Sequence, residues 1–367
     1  MFKIFIKETN TYNLIKIKEI IDNSIKFLGK PFENKKIYLI KPNLLKPANP
    51  ESAITTHPIV IKAVVELIKD NGGITIIGDS PGLSSAEKVL KKLDLLDFLK
   101  YTNTEIADFS KKRNIKNEKN LLYKEISLPE IIFQVDEIIN IPKLKTHQMM
   151  VLTLAVKNLY GLIYGIEKIK YHFLADKDYT KFAKLLLDIY KNVNPQINIL
   201  DGITGMEGNG PSSGVVKNFG ILGFSNNALS LDYTIAKIFN LDPYKIPHLN
   251  SAIKENFLEI REQFLQINSD IRFNSKHITL PKAHSLSFSM PDFVSKLVKS
   301  FVIPYPAIDR KLCKLCKICL NTCPVKAIYQ KDFILIDKKK CIRCYCCQEL
   351  CDKNAINIKR SILNVWK

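Results

Sequence analysis

"KIYLIKPNLL" (residues 36–45), "THPIVIKAVVELIKDNGG" (56–73) and "ITIIGDSPG" (74–82) read as strand, helix and strand. The middle segment repeats apolar residues at i, i+3 and i+4 and closes on glycine, whereas its neighbours are short apolar runs. Such a unit is parallel and right-handed. The theme recurs downstream. "TEIADFS" (104–110), "EIINIPKLKTH" (137–147), "INILDGITGMEGNGP" (197–211) and "FGILGFS" (219–225) alternate with helical patterns such as "YTKFAKLLLDIYKNV" (179–193) and "NALSLDYTIAKIFNL" (227–241). This alternation predicts an α/β fold, a mostly parallel sheet with helices on both faces. "MFKIFIKETN" reads as a first strand, and "EIINIPKLKTH" as one strand broken by Pro142, with a helix expected soon after His147.

The 367 residues are 46% hydrophobic and 25% charged, a globular composition with room for more than one core. No apolar run approaches the roughly 18 residues a membrane-spanning helix needs. The first strand is too short for a secretory signal. A cytoplasmic protein without a transmembrane segment is therefore expected. The formal net charge is +19, and residues 310–367 hold 14 Lys/Arg against 4 Asp/Glu, so they supply +10 of it. A surface of that sign favours encounter with an acidic partner. Nucleic acid is not expected, because the basic "KKRNIKNEK" (111–119) has no interleaved aromatics for base stacking.

All nine cysteines lie between 313 and 351. "CKLCKICLNTCPVKAI" and, 28 residues on, "CIRCYCCQELCDKNAI" both fit C-x2-C-x2-C-x3-C, with Ala and Ile at matching offsets. Three thiolates of a tight loop can take three corners of a cubane, and the fourth must come from elsewhere. This tail resembles the two-cluster bacterial-type ferredoxin family over about 50 residues. The resemblance implies a small α+β domain with two [4Fe-4S] clusters, one held by Cys313, Cys316, Cys319 and Cys351, the other by Cys341, Cys344, Cys347 and Cys323. Asp352 stands where the first half has Pro324. Cys346, the ninth cysteine, is either a small packed side chain or an alternative ligand or redox thiol. With both clusters oxidised the chain's charge falls by about 4.

In open parallel sheets, ligands gather outside the carboxyl ends of the strands. The residues expected there are polar: Lys41 and Asn43 in "KPN", Asp79 and Ser80 in "GDSPG", Lys143, Lys145, Thr146 and His147 in "KLKTH", and Asp201 and Glu207 in "DGITGMEG". In extended chain residues 143, 145 and 147 share one side while Leu144 points to the core. Such a mixture suits an anionic small-molecule substrate, with Lys145, His147 and Asp201 as candidate catalytic groups and the others binding. "GNGPSSG" (208–214) reads as a flexible loop or a backbone-amide nest for phosphate. "EKIKYHFLADKDY" (167–179) reads as a lid over the crevice or a plain connection.

"KPNLL", "GDSPG", "IPKLKTHQMMVLTLAVKNLYG" and the later "DG" loop are similar to the domain of unknown function 362 family, over roughly residues 35–240. That family implies an α/β fold, often fused to a ferredoxin tail, and no settled reaction. The expected organisation is an α/β domain over 1–285, a helical linker over 286–309 with an apolar stripe from Phe293 to Val302, the cluster domain over 310–360, and a tail over 361–367. The expected function is an oxidoreductase passing single electrons through the clusters, supplied by an acidic donor such as a ferredoxin or flavodoxin, to an anion at the strand ends. The competing readings are an electron carrier or docking subunit and a metallocofactor or iron-sulfur assembly factor.

Overall fold

We describe a computed structural model over residues 1–82, 84–175, 178–281 and 304–359. The linker stripe at 293–302 and the tail beyond 359 lie outside the described residues.

The first half contributes β1 (Phe2–Glu8), α1 (Leu14–Leu28), β2 (Ile37–Pro42), α2 (Pro58–Asp70), β3 (Ile74–Ile77), α3 (Ala86–Lys92), α4 (Leu96–Tyr101) and β4 (Glu105–Ile106). A hairpin of β5 (Lys112–Lys116) and β6 (Glu125–Pro129) follows, then β7 (Glu137–Ile141), β8 (Lys143–His147), β9 (Val151–Thr153) and α5 (Ala155–Asn158). The second half runs through α6 (Ile166–Ala175), α7 (Tyr179–Val193), β10 (Ile197–Glu207), β11 (Val215–Ser225), α8 (Ala228–Ile238), α9 (Pro247–Lys254) and β12 (Leu265–Ser269).

The main sheet has the order β12-β1-β11-β10-β7-β2-β3-β4, with β8 branching from β10 and carrying β9. Along that order only β11 runs against its neighbours. The expected mostly parallel α/β sheet is thus present. Both faces are covered, which is why its strands read as continuous apolar runs. Period-2 alternation sends Leu39, Ile138 and Leu200 into one core and Ile40, Ile139 and Ile199 into the other.

One expectation is corrected at the mouth of β7. The helix does not follow His147 directly. Pro142 ends one strand, and Lys143–His147 starts another that pairs with β10 at Asp201 and Met206, then turns back through β9 before α5. Parting from β7 lets this segment cross the strand ends while its backbone stays hydrogen-bonded.

The cysteine-rich segment forms β13 (Tyr305–Ile308), α10 (Ile318–Asn321), β14 (Ile328–Gln330), β15 (Ile334–Ile336), α11 (Cys346–Glu349) and β16 (Ile356–Lys359). Antiparallel pairs β13-β16 and β14-β15 close it into two similar halves. The 28-residue sequence repeat is also a backbone repeat. Left-handed φ angles recur at Leu315 and Arg343, at Lys317 and Tyr345, and at Lys326 and Asn354.

Candidate functional site

The strand ends bring together the residues the sequence placed there, but they pair among themselves. Lys41 Nζ donates to Asp79 Oδ1 at 2.8 Å, and Lys143 Nζ to Asp201 Oδ2 at 2.8 Å, with both lysine side chains fully buried. Asp201 also accepts from the Tyr12 hydroxyl and the His57 amide, each at 2.8 Å. Burial and the Asp201 carboxylate push the Tyr12 hydroxyl up, and the His57 ring lies flat against it, centroids 3.6 Å apart. Asp79 accepts from Leu44 N at 2.7 Å as well. A Cβ at Gly161 would strike both Asp79 and Lys41, so only glycine lets the chain cross this pair. Lys41, Lys143 and Asp201 are therefore engaged in buried ion pairs. Isolated ions at this depth are costly, and pairing is what permits them.

Two further expectations change. Thr146 points away from Lys145, its Oγ1 donating to Gly208 O at 2.9 Å. Glu207 is bound to Lys217 at 3.0 Å and to the Thr279 amide at 2.8 Å, apart from the lysines at the strand ends.

Lys145 is held differently. Its Nζ donates to Asn43 Oδ1 at 2.7 Å and Ile54 O at 2.6 Å, with no carboxylate in ion-pair range among the described residues. Asn43 in turn donates to Asn158 at 2.9 Å, Asn158 to Asn140 at 2.8 Å, and Asn140 to Asn198 at 2.9 Å. Asn198 ends the chain on the carbonyls of Pro195 and Ser225. Amides aligned in one direction polarise one another and disperse the charge of the ammonium at their head. Burial, with Lys157 and Lys143 nearby, still pushes Lys145 well below the ordinary lysine range.

His147 Nδ1 accepts the amides of Met149 and Met150 at 3.1 and 3.2 Å. The proton consequently sits on Nε2, which faces Glu349 Oε1 at 2.8 Å. Burial, followed by Lys157, pushes the imidazole down to about 4, so this is a neutral ring donating to a carboxylate. Despite its own burial Glu349 is lowered to about 2, chiefly by His147.

Glu349 belongs to α11, so the cysteine-rich unit is seated on the strand ends. Gln348 Nε2 donates to Asn209 O at 3.1 Å, Ser212 Oγ to Glu349 O at 3.3 Å, and Lys46 Nζ to Cys351 O at 3.3 Å. Leu350 lies where a Cβ on Gly82 would be. "GNGPSSG" is thus a contact for this unit, a use that neither sequence reading assigned to it. From α6, Lys168 Nζ donates to Ser80 O, and His172 stacks on Phe182 with centroids 4.6 Å apart. The segment expected as a lid or a connection delivers both groups to the crevice.

Missed in the sequence were Lys157, Lys168, His172 and Glu349, together with Tyr160, whose hydroxyl donates to Lys168 O at 2.9 Å, and Asn140, Asn158 and Asn198. "LAVKNLYG" contains Lys157, Asn158 and Tyr160 on consecutive short helical turns. That spacing was the one signal that could have marked them.

The nine thiols are all free. Two cavities run through the unit. One, about 370 Å³ including its mouth, is lined by Cys313, Cys316, Cys319 and Cys351, with Ile308 and Ile356. The other, about 340 Å³, is lined by Cys323, Cys341, Cys344 and Cys347, with Cys346, Pro306 and Tyr345. Among the described residues, no three His, Cys, Asp or Glu side chains close to the spacing of a single metal ion. Backbone amides approach sulfur at equivalent places: Ala327 N to Cys323 Sγ at 3.2 Å, and Ala355 N to Cys351 Sγ at 3.3 Å. Among the described residues, no helix is long and apolar enough to cross a membrane.

A thylakoid-associated protein of Synechocystis sp. is 36% identical over 209 residues, which is 57% of this chain and 64% of that protein. The chain thus spans somewhat less than two thirds of the length of the curated relative it matches. Residues 39–237, which include the strand ends, the lysines and the asparagine chain but stop short of the cysteines, match the domain of unknown function DUF362. With more than half of its length in that match, the chain belongs to the DUF362 family.

Proposed function

We propose that this protein is an iron-sulfur oxidoreductase that takes single electrons at its cysteine-rich unit and delivers them to a small anion in the crevice of the α/β domain. The observation that carries this reading is the seat of α11 on the strand ends, where His147 Nε2 meets Glu349 Oε1 at 2.8 Å. That contact sets the second cysteine cavity against the polar array.

The residues present fit two cubane clusters. Each cavity is ringed by three cysteines of one run and the last cysteine of the other. Backbone amides donate to the sulfurs of Cys323 and Cys351, the kind of hydrogen bond that tunes a cluster's potential. Two [4Fe-4S] clusters held in this way would supply one-electron transfer.

The chain's own residues set a direction. Cys316 is exposed beside the first cavity, whereas Cys344 and Cys347 are buried beside the second. Electrons therefore enter on the Cys316 side and leave toward the crevice. The basic surface, with +10 of the net charge in residues 310–367, suits an acidic donor such as a ferredoxin or flavodoxin. At the crevice, His147 keeps its proton on Nε2, facing Glu349, its tautomer fixed by the two amides on Nδ1.

The test is anaerobic. Purified protein should carry about eight iron and eight sulfide per chain, since two cubanes hold four of each. After reduction with dithionite, a panel of small carboxylates and phosphates should include members that reoxidise it. Iron near four per chain, zinc in place of iron, or a reduced protein indifferent to the whole panel would reject the proposal.

A further inference from the structure

Lys157 differs from the other crevice lysines. Its ammonium makes no hydrogen bond or ion pair with any described residue, and its side chain is only partly buried. It stands on α5, one turn before Tyr160 and Gly161, and the Gly161 carbonyl accepts from the Ser80 amide at 3.0 Å at the strand ends. His172 packs edge-on to Tyr160, centroids 5.7 Å apart, and the Tyr160 hydroxyl donates to Lys168 O at 2.9 Å, which brings α6 against the turn that follows α5. His172 is 8% exposed, and its Nδ1 has no partner among the described residues. A buried polar atom left unpaired is unfavourable unless a ligand or water completes it. Among the described residues Lys168 has no carboxylate in ion-pair range, and its Nζ donates to the Ser80 carbonyl.

The balance of charge points the same way. With the Lys41–Asp79 and Lys143–Asp201 pairs set aside, Lys145, Lys157 and Lys168 have no carboxylate in ion-pair range among the described residues. Lys145 has two neutral acceptors, Asn43 and Ile54, whereas Lys157 has none among the described residues. Surplus cations in a water-poor crevice, one of them unpartnered, call for an anion with several acceptor oxygens.

We propose that Lys157, Lys168 and His172 form an oxyanion-binding site, which takes the carboxylate or phosphate group of a small substrate and holds it beside the second cysteine cavity. The site rests on the function proposed above and specifies its substrate class. Lys157 supplies the direct charge, Lys168 the second cation from α6, and His172 a ring nitrogen whose plane is fixed by the stack on Phe182. The ligand bridges the cavity face and the α6 face, and Glu349 on the same wall disfavours anions too bulky to avoid it.

Calorimetry on the oxidised, cluster-loaded protein at low ionic strength tests this, with inorganic phosphate and oxalate as separate probes. Saturable binding of one probe or both is expected, and the stronger of the two identifies the group. Lys157→Gln should weaken it by about ten- to a hundredfold, the effect of losing one charge-assisted contact. His172→Phe keeps the stack and removes the nitrogen, and should also weaken binding. Lys170→Gln, on the exposed side of α6, should leave it unchanged. All variants should keep wild-type iron content and visible spectrum. A second reading is that Lys157 only balances cluster charge. Lys157→Gln would then lower a midpoint potential while wild type bound neither probe, and that result overturns the site. So does equal binding by wild type, Lys157→Gln and His172→Phe. Loss of iron from the wild type would instead condemn the oxidoreductase reading, so the two failures are separable.

Discussion

The contact between His147 and Glu349 joins segments about 200 residues apart, and its removal can be sized. Glu349 has a side chain 16% exposed and His147 one 1% exposed. Glu349→Ala leaves the His147 Nε2–H buried without its acceptor, at a cost of about 1–3 kcal/mol. Glu349→Gln keeps an acceptor oxygen there and should cost less. Hydrogen exchange reads the opening locally: amides of residues 147–150 and 345–351 should exchange about 5- to 150-fold faster in Glu349→Ala, with Gln between Ala and wild type. Amides of β2 and β7 should not change. Acid should act in the same direction. An unfolded His147 takes a proton near 6.5 and the docked one only near 4, so its share of docking stability is full above 6.5 and lost as pH falls to 4. Glu349 is likewise depressed, and its share is lost between 4.5 and 2. Exchange in the Ala variant within about twofold of wild type at pH 7 would refute the argument that this pair seats the unit.

Lys143→Ala strips Asp201 of its cation in a fully buried setting and should destabilise the α/β domain by about 3–5 kcal/mol in urea unfolding, whereas substrate response is the wrong place to look for its effect. A loss below about 1 kcal/mol would mean that Tyr12 and the His57 amide suffice for Asp201. The cavity linings predict that Cys323→Ser and Cys341→Ser perturb the same cluster signal and Cys351→Ser the signal shared with Cys313→Ser; a common loss from Cys313→Ser and Cys323→Ser would reverse the pairing. Electron uptake from an acidic donor should slow steeply as salt rises, because exposed charges are screened beyond about 8 Å at physiological ionic strength. Uptake indifferent to salt would make the basic tail surface background.

By itself the sequence determined the architecture of the larger domain, because a sheet covered on both faces writes itself as apolar runs between amphipathic helices. It also located polar residues at the strand ends, since each follows a buried run directly, and the 28-residue cysteine repeat, whose spacing survives as a backbone repeat. Only the tertiary structure decided what those residues face. Lys41, Lys143 and Lys145 look alike in sequence, yet two meet carboxylates and the third heads a chain of asparagines drawn from four separate segments. Pairing of that kind depends on contacts between residues 38, 58 and 102 positions apart, which no local pattern records. Glu349 could not be foreseen as a crevice residue, because its role follows from the seating of one folded unit on another. Lys157 likewise reads as an ordinary helical lysine, and only the neighbours that leave its ammonium unpaired distinguish it.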